Sequence, residues 1–200
     1  MMSVFILLAA FVGGMSVAMD VLAGERERRS LVPLLMNPLH RRDVVFGKWL
    51  AVASFSLGGL LVCLLGFAPV LLRTGIVLSP ALLLALAFGL VPLTLLAAAL
   101  ELAVSTVCRS VKEAHTYLSL LVFAPMGAGM FLVFFPQAAG GWSQITPLVG
   151  QQLLVESWMR SGSVEPLSLV VLALTTSGAT ALVLLAAARR LEQDDVLYGG

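Results

Sequence analysis

The stretch WLAVASFSLGGLLVCLLGFAPVLL, residues 49–72, contains no Asp, Glu, Lys or Arg. Four other stretches share this property, at residues 1–19, 74–100, 114–155 and 166–188. Each is about as long as the ~20 apolar residues that cross the ~30 Å hydrocarbon core of a bilayer. With 60% apolar and only 12% charged residues, the chain has too little interior to bury five such stretches as a soluble domain. Because backbone groups in lipid must pair within their own element, the stretches are predicted to be helices.

The pattern therefore predicts an all-α fold, a polytopic membrane helix bundle with about five transmembrane helices in a single membrane domain, residues 1–200. Pro125, Gly127 and Gly129 are expected to bend the fourth span or to let a neighbouring helix approach closely. The predicted segments are spans at about residues 1–19, 47–72, 80–107, 116–135 and 166–188, a hairpin at 20–46, and an amphipathic or re-entrant segment at 136–165.

The basic residues indicate the direction in which the chain crosses the membrane. Of the 12 Lys and Arg residues, six lie between the first and second spans, two between the third and fourth, and two after the fifth. Only Arg73 and Arg160 lie on the other side. Basic residues accumulate on the cytoplasmic side of membrane proteins. The N-terminus is therefore predicted to lie outside the cell, and the hairpin and the C-terminus in the cytoplasm.

The hairpin is the most polar part of the chain, and two interpretations of it stay open. Its acidic residues Asp20, Glu25, Glu27 and Asp43 mix with six basic ones, whereas an anchor that only sets topology needs the basic ones alone. Ser30 is expected to cap a short helix. That helix would carry an apolar stripe, which favours a docking surface over a solvated anchor. The stripe consists of Leu31, Leu34 and Leu35.

A second helix is predicted outside the spans, in the segment at 136–165. Thr146 and Pro147 are typical of a cap followed by a first-position proline, and Gly162 is expected to end this helix. An amphipathic helix between two spans is expected to lie at the membrane interface or to re-enter the membrane. Its apolar face is predicted to contain Ile145, Leu148, Val149, Leu153 and Trp158.

Glu101 is the one carboxylate inside a predicted span. An ionisable side chain within the membrane is a candidate functional residue, because burying its charge is costly. The alternative is that the side chain extends to the cytoplasmic interface or pairs with a basic residue of the hairpin. Arg109 lies only ~12 Å away along a helix that rises 1.5 Å per residue. Both interpretations stay open at this point.

The sequence lacks the motifs of common enzymes. A phosphate-binding loop is absent, because Arg42 stands where Gly47-Lys48 would need an upstream glycine and Trp49 replaces the required Ser or Thr. No zinc-binding pattern occurs, and a net charge of +1 does not indicate nucleic-acid binding. Gly14-Met15-Ser16 has no histidine in any span to act as a base for a serine protease. We therefore predict no catalytic residue, no metal ligand and no cofactor bound by this chain.

Several stretches together carry a resemblance to a known family. The hairpin sequence DVLAGERERRSLVPLL at residues 20–35, followed by GKWLA at 47–51, resembles type-2 ABC transporter permeases, and most closely the sodium-extrusion permease family. CRSVKEAHTYLS at 108–119, TPLVGQQLL at 146–154 and ARRLEQDDVLYG at 188–199 agree with it. The resemblance covers nearly the whole chain.

The resemblance implies a membrane subunit of an ABC exporter in the cell inner membrane, with Na⁺ as the candidate cargo. ATP and Mg²⁺ would bind a separate ATPase subunit, and a second permease subunit, identical or different, would complete the transporter. The segment before the last span would carry re-entrant helices. Family members normally have six spans and a large outer domain after the first, so a non-transporting or truncated assembly or regulatory subunit is the alternative. The hairpin residues expected to contact the ATPase are Glu25, Arg28, Leu31, Leu34, Leu35 and Arg41.

Overall fold

The computed structural model describes residues 2–28, 30, 41–73, 80–135, 141–161 and 165–191. Within these ranges the regular elements are all helices, and no strand occurs among them. A 3₁₀ helix, Gly141–Ile145, precedes α6. The α-helices of more than one turn are α1 (Met2–Ala18), α2 (Arg41–Arg73), α3 (Pro80–Val107), α4 (Val111–Val122), α5 (Ala124–Phe134), α6 (Val149–Ser161) and α7 (Pro166–Leu191).

Five helical stretches in the described residues are long and apolar enough to cross a membrane, which confirms the predicted fold class. Helices α4 and α5 together form the fourth of them. Helix α2 begins at Arg41, so residues 41–46 of the predicted hairpin are helical. The short helix predicted for residues 31–35, with its leucine stripe, lies outside the described residues.

The first span continues beyond its apolar part. After Ala18 the backbone forms a π-helix, Met19–Gly24, and then one α-helical turn, Glu25–Glu27. We call residues 19–28 the stalk. In a π-helix each hydrogen bond spans five residues rather than four, and such segments are rare. The end of the bundle at which the stalk lies is called the stalk end below.

Helix α3 is the centre of the bundle. In the most apolar stretch of α3, 56% of the residues are buried. In the corresponding stretches of the other spans this share is 39% or less. Two clusters of buried apolar side chains follow it along its length. The cluster at the stalk end includes Leu22, Trp49, Val52, Leu102, Leu118 and Leu191. The cluster at the opposite end includes Ile6, Phe11, Leu60, Leu90, Leu93 and Trp158.

Helices α1 and α2 touch through glycines. A Cβ atom added to Gly59 would lie 2.8 Å from the Cα atom of Gly13, and one added to Gly13 would lie 3.1 Å from the backbone oxygen of Phe55. Association of helices in lipid depends on such close packing of small residues, because the apolar tails offer no hydrophobic driving force. The two helices are therefore in backbone contact at this crossing.

The fourth span is interrupted where the sequence predicts a bend. Helix α4 ends at Val122, Phe123 forms a turn, and α5 begins at Ala124 with Pro125 in its first turn. A Cβ atom on Gly129 would lie 2.9 Å from Val4 Cγ2 and 3.2 Å from Gln152 Nε2. Gly129 thus allows α1 and α6 to approach α5 closely.

Helix α6 differs from the sequence prediction at its start and on its buried face. It begins at Val149 rather than after Thr146, because Leu148 has a φ of 71° and breaks the helical path. The Thr146 hydroxyl donates to the Trp142 carbonyl oxygen instead of capping the helix. Trp158 is buried as predicted, but Gln151 and Gln152 are buried beside it. This face packs against α1, α3, α5 and α7, so α6 lies within the bundle.

The orientation of the chain in the membrane stays a prediction, and cysteine labelling measures it. We expect a membrane-impermeant maleimide applied to intact cells to label Glu165→Cys and not Ser30→Cys, in a background that lacks Cys63 and Cys108. Both positions are exposed and lie at opposite ends of the bundle. Permeabilised cells, in which both should react, provide the control. Labelling of position 30 alone in intact cells would show that the chain has the opposite topology.

Candidate functional site

The stalk binds directly to the turn that joins α3 to α4. The Arg26 guanidinium donates two hydrogen bonds of 2.8 Å, from Nη1 to the Cys108 carbonyl oxygen and from Nη2 to the Thr106 carbonyl oxygen. Glu27 Oε2 accepts a 2.8 Å hydrogen bond from the Val111 backbone N–H. The last carbonyls of one helix and the first N–H groups of the next lack partners within their own helix. A cation at a helix C-terminus and an anion at an N-terminus also match the helix dipoles.

The turn between α3 and α4 is itself held by side chains. Ser110 Oγ caps α4 by accepting from the Glu113 N–H, and Glu113 Oε2 accepts from the Arg109 N–H at 2.8 Å. Cys108 is buried and its thiol donates to the Val104 carbonyl oxygen. Burial raises the pKa of the Cys108 thiol, which keeps it in the donating form. The stalk therefore contacts a turn with little freedom of its own.

A third contact ties the stalk to α2. Lys48 Nζ lies 2.5 Å from Glu25 Oε2 and also donates to the Val21 carbonyl oxygen. Only 10% of the Lys48 side chain is exposed, so this pair is shielded from solvent in a way that ordinary surface pairs are not. Through Arg26, Glu27 and Lys48 the stalk is thus joined to α2, α3 and α4.

The predicted docking residues separate into three groups. Glu25 faces the bundle and pairs with Lys48, whereas Arg28 is exposed and pairs with Asp20 at 2.6 Å. Arg41 begins α2, and its side chain is outside what the structure describes. Leu31, Leu34 and Leu35 lie outside the described residues.

The predicted site residues do not include Arg26, Glu27 or Lys48. One signal could have singled out Arg26, because it follows the apolar positions Ala18 and Leu22 at intervals of four residues. Residues at that spacing share one face of a helix. Both apolar residues are buried, and Arg26 continues their side of the helix towards α3.

A second group of polar side chains lies inside the membrane part of the bundle, around Glu101. Its side chain is 1% exposed, and neither carboxylate oxygen has a hydrogen-bond partner in the described part of the chain. The Glu101 side chain does not extend to the interface, and it pairs with none of the hairpin's basic residues that the structure describes. The reason is that the side chain points between α1 and α2, where a Cβ atom on Gly14 would lie less than 3.0 Å from both Glu101 Oε2 and Ser56 Oγ.

A third polar group lies at the opposite end of the bundle. Ser3 of α1 donates to Glu156 Oε1 at 3.3 Å, and Gln152 Nε2 lies 3.5 Å from the same oxygen. Nearby, Gln151 Nε2 donates to Thr176 Oγ1 of α7 at 2.8 Å. These hydrogen bonds connect α6 to α1 and α7, the first and last spans. They account for the burial of glutamines on a helix that the sequence predicted to bury apolar residues.

Comparison with known proteins gives two matches. Residues 1–196 match the ABC-2 family transporter proteins. Over 131 residues the chain is 39% identical to the ABC transporter permease protein NatB of Bacillus subtilis (strain 168). The matched part makes up 61% of this chain and 34% of that protein, so the similarity spans about a third of the relative's length. No solved structure matches. Together with the five apolar spans, the family match identifies a multi-pass protein of the cell inner membrane.

Proposed function

Because the chain belongs to the ABC-2 family of transporter proteins, we propose that it is the membrane-spanning permease subunit of an ATP-driven exporter that expels Na⁺. The similarity to the permease protein NatB and the resemblance of the hairpin to sodium-extrusion permeases support this cargo. ATP and Mg²⁺ bind a separate ATPase subunit, since the sequence contains no phosphate-binding loop of its own. A second permease subunit, identical or different, pairs with this one about a twofold axis.

The hairpin at residues 20–46 is the docking element for the ATPase. The observation that carries this assignment is the three-way attachment of the stalk to α2, α3 and α4. A solvated anchor would bend under an applied force and would not transmit it to the spans. A force applied to this hairpin reaches three spans through short, partly buried hydrogen bonds. Closure of the ATPase pair then tilts the spans as rigid bodies and switches access from one side of the membrane to the other.

Leu34→Asp tests the docking element. We expect this variant to lose the ATPase on co-purification by tenfold or more, because a leucine stripe in an apolar groove of the partner tolerates no unpaired charge. A loss of about 1.4 kcal/mol of binding free energy already corresponds to a tenfold loss of affinity. Membrane insertion should not change, since residue 34 lies outside the predicted spans at residues 1–19 and 47–72. The measurement is the ATPase recovered with each variant at matched levels of permease in the membrane.

Ser30→Asp is the matched control, because Ser30 is exposed and the same charge is added to the same hairpin. It should recover the ATPase like the wild type. If Leu34→Asp and the wild type recovered equal amounts of the ATPase, the hairpin would not be part of the interface with the ATPase. If the wild type itself recovered no ATPase, the chain would instead be a non-transporting assembly or regulatory subunit.

A further inference from the structure

Glu101 and Ser56 are two unsatisfied polar groups that face each other within the membrane part of the bundle. Both side chains are buried, at 1% and 0% exposure. Among the described residues, neither Ser56 Oγ nor either carboxylate oxygen of Glu101 has a hydrogen-bond partner. Glu101 Oε2 and Ser56 Oγ each lie less than 3.0 Å from the position that a Cβ atom on Gly14 would take. The two oxygens are therefore less than about 6 Å apart. Buried polar atoms are nearly always hydrogen-bonded, so three such oxygens in one place require an explanation.

The neighbouring polar residues on α3 show what a satisfied group looks like in this helix. Thr94 donates to the Leu90 carbonyl oxygen at 2.8 Å, and Ser105 Oγ accepts from the Ala23 N–H at 3.2 Å. Both are fully buried on the same side of α3 as Glu101. Of the three, only Glu101 has no partner. The missing partner is therefore specific to the space between Glu101 and Ser56.

No basic side chain fills that role in the described part of the chain. Lys48 is bound to Glu25 and Val21, and on α2 it lies eight residues before Ser56, about 12 Å away along the helix axis. Arg26 is bound to the two carbonyls at the end of α3. An ionised carboxylate without a partner is costly in a low-dielectric interior, so Glu101 must take up either a proton or a cation that the chain does not supply.

The charge and the donor atoms define the chemistry of the missing partner. One carboxylate carries one negative charge, so a monovalent cation makes the site neutral whereas a divalent cation leaves an uncompensated positive charge. Carboxylate and hydroxyl oxygens are ligands for hard cations, and the described residues hold no cluster of His, Cys, Asp and Glu that would favour a transition metal. Gly14 lets the two oxygens approach the backbone of α1, because a side chain at this position would collide with both of them.

We propose that Glu101 and Ser56, at the crossing of α1, α2 and α3, form a binding site for one monovalent cation. The site lies between the two apolar clusters and about 9 Å from the end of α3 at Val107. It deepens the proposed function by placing the cargo on named side chains, and it rests on that function only for the identity of the ion as Na⁺. Three side-chain oxygens bind the ion, two from Glu101 and one from Ser56.

The test is binding of radioactive ²²Na⁺ to the purified chain in lipid nanodiscs at pH 8. We expect saturable binding of one ion per chain that excess NaCl displaces and MgCl₂ does not. Glu101→Gln keeps the shape, removes the charge, and should weaken binding about 100-fold or more. Ser56→Ala removes one ligand and should weaken it about tenfold. Ser54→Ala is the matched control, because Ser54 lies on the exposed face of α2, donates to the Leu50 carbonyl oxygen, and should bind Na⁺ within twofold of the wild type.

Two results would overturn the site. Either the wild type shows no saturable Na⁺ binding, which would mean that a proton balances Glu101, or Glu101→Gln binds as the wild type does. Size-exclusion profiles of each variant show that it is folded. A separate arm measures ATP-driven ²²Na⁺ export with the ATPase subunit present. Binding that depends on Glu101 without any export by the wild type would uphold the site and reject Na⁺ as the exported cargo.

Discussion

Gly59→Leu is expected to lower the thermal midpoint of the purified protein by about 6–12 °C. A side chain at this position meets the Cα atom of Gly13 at 2.8 Å, and backbone cannot move aside as a flexible side chain can. Overfilling a packed contact costs about 3 kcal/mol at the upper end of the usual range. For a chain of this size about 1 kcal/mol corresponds to 2–4 °C. The separation of α1 from α2 would also disturb Gly14, so the effect should reach the site at Glu101.

Gly58→Leu is the control, and the measurement is size-exclusion chromatography of samples heated in detergent. Gly58 precedes Gly59 in the same helix and is exposed, and a Cβ atom added to it would meet no atom within 4 Å. The change in helix propensity is the same at both positions, so it cancels. Gly58→Leu should stay within about 2 °C of the wild type. Similar losses in both variants would show that the α1–α2 contact does not depend on backbone proximity.

Arg26→Ala is expected to reduce ATP-driven export about tenfold or more while the ATPase still co-purifies. The variant loses both hydrogen bonds to the carbonyls at the end of α3, and such bonds from a charged group contribute about 1.5–3 kcal/mol each. The stalk would then keep its attachment to α2 through Lys48 but lose these bonds to α3. In the proposed function the leucine stripe of the hairpin binds the ATPase and the stalk transmits its movement, so the two properties should separate. The measurement compares export per ATP hydrolysed with the amount of ATPase recovered.

Arg28→Ala is the matched control for this prediction. Arg28 lies two residues further along the stalk, and its pair with Asp20 is exposed, with 64% and 66% of the two side chains accessible. Exposed pairs contribute little, so export should fall by less than about twofold. Arg26→Lys should also reduce export, because an ammonium group lacks the planar fork whose two separate nitrogens reach the two carbonyls. If Arg26→Ala exported like the wild type, the contact of Arg26 with α3 would be excluded as the mechanical link.

The five spans could be predicted from the sequence because the membrane sets a single requirement, about 20 apolar residues in a row. The interruption of the fourth span was predictable for a similarly local reason, since Pro125 cannot continue the hydrogen bonds of α4. Both features depend on the chain alone. Neither requires knowing which helix lies beside which.

The polar contacts could not be predicted, because each depends on a partner far away in the chain. Gln151 is buried since Thr176 of α7 accepts its hydrogen bond, and no pattern within residues 141–161 shows that. Glu101 was correctly singled out as unusual, but its direction depends on a glycine in α1 and a serine in α2. Arg26 meets α3 through two carbonyls that lie about 80 residues further along the chain.

That π-helical segment affects how the chain tolerates a change in length. A π-helical turn holds about one residue more than an α-helical turn, so Met19–Gly24 contains a residue that a regular helix would not need to connect α1 with Arg26. Loss of one residue there can be absorbed by a return to α-helix, with both flanks kept in phase. The same loss within α3 would rotate everything beyond it by about 100° and carry Glu101 away from Ser56. Deletion of one residue should therefore be tolerated in the stalk but should disrupt the structure when it is made in α3.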